Sequence, residues 1–442
     1  MKYTGPRIVT PPPGPKARTL IEEDIRMLSP SLTRSSPLVG EKAEGVFVED
    51  VDGNVFLDFG SGIAVTALGH RHPEVIASMK AQMDKLIFIN SLDYYTIPQV
   101  DYAKMLFEVT PGDFEKRVFY TNSGSEAVET AIKMAKWHNR KMYGIGFING
   151  FHGRTLAALS FTTNSLTARR GFQPLYPIGQ FTPYPHCYRC LFDKTYPSCD
   201  MHCLNYLTDV VFKKIVPPDE TSFIMLEAVQ GAGGYIVPPK EFFPRLSQIC
   251  RQHNILLIVD EVQTGFGRTG KMFACDHFGL EPDIIALSKA IANGFPCGAA
   301  VSRSEVMDWV DAAHEGTLNG NPVIMEGAKT VLTVMQRDNL PAHAEKLGAY
   351  LKDHLAFLME KYPVIGDVRG LGLMIGVEFI KDAKKTPAVD FRNQLIDLAF
   401  QKGLMLLGAG ESSIRLAPPL IITKEQLDTG LSILEDCIKE LS

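Results

Sequence analysis

Six short apolar runs mark the middle of the chain: RVFYTN, GIGFING, SFIMLEAV, ILLIVDEV, DIIALSKA and CGAAVSRS. Runs such as ILLIV have no polar alternation, so the strands they predict are buried on both faces. Between them lie segments with helical spacing. TNSGSEAVETAIKMAKWH, for example, puts Val128, Ile132 and Ala135 on one face. Strand and helix in alternation indicate a parallel α/β sheet. Ahead of this region, GVFVEDVDGNVFLDFGSG carries two β-rich runs around Asp52-Gly53-Asn54, a hairpin signal. Residues 1–35 read as an extended arm with a short helix at TLIEEDIRML. Beyond about residue 325 come a long helical stretch, VRGLGLMIGVEFI, a helix around 390–403, SSIRLAPPLII and a final amphipathic helix. The expected organisation is an N-terminal arm and hairpin over 1–71, a large sheet domain over 72–324, and a C-terminal α+β domain over 325–442 that the arm and hairpin join.

At 442 residues the chain is long enough for two domains. Its net charge of −5 and lack of a basic stretch argue against a nucleic-acid partner. No run of about 18 apolar residues suggests a membrane span. The opening MKYTGPRIVTPPPGPKARTL has no apolar signal core, so a cytoplasmic location is expected. Among eight cysteines, Cys250, Cys275, Cys297 and Cys437 are scattered and read as small buried residues. Cys187, Cys190, Cys199 and Cys203 are clustered with His186 and His202, at spacings that metal-ligand pairs, disulfides or free thiols all accommodate. They lie outside the expected chemistry, for which no metal is invoked.

The chemistry sits at strand ends, where ligand crevices of open α/β sheets lie. Asp260 closes ILLIVDEV, and an acid there is costly unless a cation meets it. Lys289 follows DIIALS; desolvation would lower its pKa and make it an amine nucleophile for a carbonyl. Either residue alone reads as well as a helix cap or a surface charge. Together they supply what pyridoxal chemistry requires, a Schiff-base lysine and an acid for the pyridinium nitrogen. Gly124 and Ser125 open a helix after RVFYT, where free N–H groups and the helix dipole suit a phosphate, although Ser123 or Ser125 capping the helix is as plausible. Phe151, followed by His152, ends another strand and can stack on a planar ring or belong to the core. Gln263 can bond a phenolic oxygen. Arg415 offers a fork for a carboxylate, and Glu227 is an acid that can occupy it when no substrate does; a structural salt bridge is the bland reading of that pair.

Taken together, these segments resemble the class III aminotransferases, the ornithine/4-aminobutyrate subgroup of fold-type I pyridoxal-phosphate enzymes. The resemblance runs from about residue 35 to the end and is most specific in ILLIVDEVQTGFGRTGKMFACDHFGLEPDIIALSKAIANGFP. It implies a large, mainly parallel sheet domain and a smaller α+β domain formed by both termini. It implies pyridoxal 5'-phosphate as cofactor, Lys289 as its Schiff-base lysine and proton carrier, and Asp260 at the pyridinium nitrogen. Gly124 and Ser125 resemble the phosphate pair, Phe151 and Val262 the residues on the two ring faces, with His152 beside Phe151, and Gln263 the ligand of the phenolic oxygen. Thr317 resembles the threonine that reaches the neighbouring subunit's phosphate, which implies a homodimer, or a larger homo-oligomer, with shared active sites. Arg415 resembles the residue that grips the α-carboxylate of amino and oxo acids, and Glu227 its gate for ω-amino substrates.

Three features depart from the pattern. Many members have a proline after the glutamate and an acid in the glycine run, where this chain has Glu227-Ala228-Val229-Gln230-Gly231-Ala232. The PPPGPKA arm resembles archaeal members, some of which are amino-acid racemases. The cysteine cluster has no counterpart in the better-known members. A racemase reading shares the first steps and needs a base on the second face of Cα, for which Tyr94 and Tyr95 are the tyrosines at hand. A nucleotide-binding oxidoreductase is disfavoured, since no G-x-G-x-x-G opens a helix after the first strand.

Overall fold

The computed structural model describes residues 3–176 and 179–442. All six apolar runs are strands of one seven-stranded sheet, in the order Lys116–Thr121, Gly298–Arg303, Ile284–Leu287, Leu256–Asp260, Thr221–Glu227, Tyr143–Phe147 and Gly179–Thr182. From Ile284–Leu287 to Gly179–Thr182 every pair is parallel, whereas Gly298–Arg303 runs antiparallel to both neighbours. The edge strand Gly179–Thr182 was not among the expected strands. Its Gly-Gln-Phe-Thr carries one large apolar side chain, too few for a pattern. The helix Gly124–Asn139 buries Ala127, Val128, Ala131 and Ile132 against Phe223, Met225, Ile258 and Ala286 of the sheet. This explains the unbroken apolar runs: the central strands are covered on both faces.

Two further sheets are antiparallel for the most part. One joins Ile365–Leu371, Met374–Phe379, Ser413–Leu416 and Leu407–Ala409. The other carries the expected hairpin, in which Phe47–Asp50 and Val55–Asp58 pair and Asp50 N donates to Asn54 O at 2.9 Å. Leu404–Met405 adds to Val55–Asp58 in parallel, so residues from both ends of the chain share one sheet. The last helix, Lys424–Leu441, starts with a capping box between Thr423 and Gln426. Arg268, from the Gly-Arg-Thr-Gly run, ties the large sheet's loops to the smaller unit: its buried Nη1 donates to Leu373 O at 3.0 Å and Pro418 O at 2.6 Å. Among the described residues no helix is long and apolar enough to cross a membrane.

Candidate active site

Strand register assembles the site. Glu227 lies opposite Asp260, and Asp260 opposite Ala286, at the carboxyl ends of three adjacent parallel strands. Three residues beyond Ala286 the chain turns at Lys289, whose φ of 45° lies in the left-handed region. That conformation is uncommon for a side-chain-bearing residue and recurs at functional sites. A cavity of about 210 Å³ opens here, and Gly124, Ser125, Phe151, His152, Glu227, Asp260, Val262, Gln263 and Lys289 all line it.

Asp260 is fixed on both oxygens. Oδ2 meets His152 Nδ1 at 2.8 Å, and Oδ1 accepts from Val262 N at 3.0 Å. Burial works against the His152 imidazolium, but the Asp260 hydrogen bond and charge outweigh it and raise the His152 pKa. His152 thus partners Asp260 directly, a contact that its place beside Phe151 in the sequence did not reveal. Lys289 has its pKa lowered to about 8, first by burial and then by the Arg415 charge, against the pull of Asp260 and Glu227.

At the far end, Ser123 caps the Gly124–Asn139 helix, its Oγ accepting from Glu126 N at 3.2 Å. The capping reading therefore holds for Ser123. Ser125 Oγ accepts from Arg154 N at 3.2 Å, which leaves its own proton to donate. A Cβ on Gly124 would meet Val262 Cγ1 at 2.8 Å, and one on Gly153 would meet Ser125 Oγ at 2.4 Å. Sequence reasoning also passed over Ser288, Gly153, Val229 and Thr264 in the cavity wall, and Arg154, whose guanidinium stands 5.7 Å from the Phe151 ring centroid. The run Phe151-His152-Gly153-Arg154 at a strand end was the available signal for the last.

Glu227 and Arg415 do not pair. The Glu227 carboxylate accepts from Phe151 N at 3.3 Å and Gly231 N at 3.0 Å. Burial pushes its pKa up to about 7 despite the His152 charge and the Gly231 amide bond. Arg415, on the Ser413–Leu416 strand, has a buried Nε with no partner. Thr317 is exposed and lies in a separate groove beside Asn122 and Glu126 of its own chain. Tyr94 and Tyr95 are exposed too, Tyr95 fully (100 %), and neither lines the cavity. Cys187, Cys190, Cys199 and Cys203 surround one small cavity of their own and are unpaired; no group of three or more His, Cys, Asp or Glu among the described residues is arranged to hold a metal.

The residues fit pyridoxal phosphate on their own evidence. His152 Nε2 and Gln263 Oε1 are buried polar atoms without partners in the wall of this cavity, and the Gly124 approach leaves room that any side chain would fill. A mainly parallel sheet with an acid and a lysine at the ends of adjoining strands, and a glycine at a helix start facing them, is the build of a fold-type I pyridoxal-phosphate enzyme. Comparison with known proteins narrows the class. The family model for class III aminotransferases matches residues 30–438, and the chain belongs to that family. It is 38 % identical to an alanine/serine racemase of Pyrococcus horikoshii over 100 % of this chain and 94 % of the relative. It is 37 % identical to the 4-aminobutyrate aminotransferase GabT of Escherichia coli over 91 % and 94 %. Among solved structures, an (S)-enantioselective omega-transaminase from Thermomicrobium roseum superposes with a TM-score of 0.89 at 29 % identity, covering 96 % of this chain and 99 % of that one. A pyridoxal-phosphate-bound amine transaminase from an uncultivated Pseudomonas species gives 0.86 at 30 % identity, over 94 % and 98 %.

Proposed function

We propose that this chain moves an amino group between an amino acid and a 2-oxo acid such as 2-oxoglutarate, with Lys289 as the residue that holds pyridoxal phosphate. The observation that carries the reading is the convergence of a depressed-pKa lysine and the Asp260–His152 pair on one cavity. When bound, the cofactor supplies the electron sink for the pair left on Cα after deprotonation. The protein does the rest. Asp260, held by His152 and the Val262 amide, would meet the ring nitrogen and keep it protonated. Phe151, Val262, Gln263, Gly124 and Ser125 line the same cavity and would hold the cofactor's ring, phenolic oxygen and phosphate. Lys289 Nζ would take the proton from the substrate's Cα and carry it back as the general acid of the transfer. Arg415 grips the substrate carboxylate.

The reading includes a homodimer in which the partner subunit's Thr317 reaches the phosphate. Ile87, Tyr94, Tyr95, Ile97 and Leu318 are exposed. Their loops are joined by Ser91 Oγ to Asn319 O at 3.0 Å and Asn321 Nδ2 to Ile87 O at 3.1 Å. An apolar surface of this kind beside Thr317 suits a second copy of the chain. The division at 71/72 and 324/325 and a cytoplasmic setting belong to the same proposal; the first is supported by the pairing of Leu404–Met405 with Val55–Asp58, the second by the free thiols.

Racemisation is the second reading, favoured by the 38 % identity to a protein named as a racemase. It needs a proton carrier on the opposite face of Cα. Besides Lys289, the titratable residues of the cavity wall are His152, Glu227 and Asp260. A panel of L-, D- and ω-amino acids with 2-oxoglutarate, followed for both oxo-acid formation and optical rotation, separates the two. Oxo acid formed in step with glutamate supports transfer. Loss of rotation without oxo acid overturns it in favour of racemisation.

A further inference from the structure

Glu227 lines the cavity at Lys289, the Arg415 charge acts on the same lysine, and the partners of the two residues differ in kind. Both Glu227 oxygens are taken by backbone amides, Phe151 N at 3.3 Å and Gly231 N at 3.0 Å. The two loops that supply those amides are stapled together, by Asn149 Nδ2 to Gly233 O and Gln230 Nε2 to Ile148 O, each at 2.9 Å. The amides therefore cannot follow the carboxylate if it swings away. The end of the Gln263 side chain packs over Gly231, 2.8 Å from where a Cβ would stand. Arg415 is the reverse case. Its Nε is a buried donor without an acceptor, and among the described residues no carboxylate pairs with it. The charged and titratable groups around it are Lys289 and Tyr235, neither of which offers an anion at neutral pH; those around Glu227 are His152, Asp260, Lys289 and Tyr184.

We infer that Glu227 is a latch fixed to the Phe151 and Gly231 amides and not a movable partner of Arg415, so that Arg415 stands open and the site is set for substrates with a carboxylate on the reacting carbon: α-amino acids and 2-oxo acids, in preference to ω-amino acids. An α-carboxylate satisfies the unpartnered Nε of this half-buried arginine. An ω-amino substrate presents only hydrogens there and leaves the cation unpaired, unless Glu227 abandons two charge-assisted hydrogen bonds to reach it. The inference rests on the assignment of Arg415 as the carboxylate site.

The test uses holoenzyme and butyrate, a carboxylate without an amine. Calorimetric titration from about pH 6 to about pH 8.5 measures its affinity, and steady-state kinetics compare L-alanine with 4-aminobutyrate as donors. The latch predicts a butyrate affinity that changes by less than about twofold across this range, because ionised Glu227 does not compete for Arg415. It predicts kcat/KM for L-alanine about 100-fold or more above that for 4-aminobutyrate, and a Glu227→Gln variant in which the ratio does not widen by more than a few-fold. A butyrate affinity that falls as pH rises through 7, flattened by Glu227→Gln, together with an ω-amino rate that this variant cuts about tenfold or more, overturns it in favour of a moving gate. Arg415→Ala separates the underlying assignment: retained butyrate affinity in that variant means that the Arg415 reading itself is wrong.

Discussion

Lys289 and Glu227 sit in the same cavity, and burial shifts both toward their neutral forms. For Lys289, with its pKa lowered to about 8, the neutral amine dominates only above that value. Only the neutral form attacks an aldehyde, so cofactor capture by the cofactor-free enzyme should accelerate by about tenfold per pH unit up to about pH 8 and then level off. Stopped-flow absorbance at the cofactor band measures this; a rate flat from about pH 6 to about pH 9 contradicts the shift. For Glu227 the sign runs the other way. Its folded pKa of about 7 exceeds the ordinary 4.5, so between these values the folded state binds more protons than the unfolded. Stability of the cofactor-free protein then falls as pH rises from 4.5 and reaches its full loss above 7, by up to about 3 kcal/mol. Glu227→Gln should remove that part of the slope in denaturant titrations at a series of pH values. An unchanged slope would mean that Glu227 is ionised when folded.

At the scale of elements, the helix Gly124–Asn139 and the turn after the Leu256–Asp260 strand meet at Gly124 and Val262, a contact that admits no side chain on Gly124. Gly124→Ala places a methyl 2.8 Å from Val262 Cγ1, on the wall shared by ring and phosphate. The expected result is a folded protein with unchanged far-ultraviolet circular dichroism whose pyridoxal-phosphate Kd rises by about tenfold or more, since Gly124 has ordinary helical backbone and the cost falls on the ligand. Equal cofactor affinity would show that Val262 yields. Strands were readable because burial on both faces writes itself as ILLIV and FIMLE, and the strand-end positions of Asp260, Glu227 and Lys289 followed directly. Strand direction was not readable: Gly298–Arg303 has the apolar character of its parallel neighbours yet runs against them. Nor were pairings between distant segments. His152 could be placed beside Phe151 but not on Asp260, 108 positions away, and nothing in the sequence near Glu227 announced that its partners would be amides and not Arg415.

Across the whole molecule, the cysteine-bearing excursion bridges the two sheet systems. Arg189 pairs with Glu378, Arg189 Nη1 donates to Lys385 O at 2.7 Å, and Lys385 Nζ donates to Tyr188 O at 3.0 Å. The four thiols enclose a cavity within this bridge and apart from the one that holds Lys289. Replacing Cys187, Cys190, Cys199 and Cys203 with serine should lower Tm by several degrees, because Cys190, Cys199 and Cys203 are half-buried and serine puts a more polar group at each, while kcat per cofactor-loaded subunit stays within about a few-fold. Loss of kcat in a well-folded, fully loaded quadruple variant would give the segment a part in the chemistry. Arg268 performs a related service at the other side of the seam, where its buried guanidinium joins the loop after Asp260 to Leu373 and Pro418. Arg415, on the Ser413–Leu416 strand, belongs to the unit that these contacts hold against the large sheet.

The most direct measurement is reductive trapping. Holoenzyme treated with borohydride, digested and mapped by mass spectrometry should carry the reduced cofactor on one peptide, with the adduct on Lys289. A cofactor adduct on any other lysine, or none at all in enzyme that turns over, would contradict the assignment on which the whole account rests.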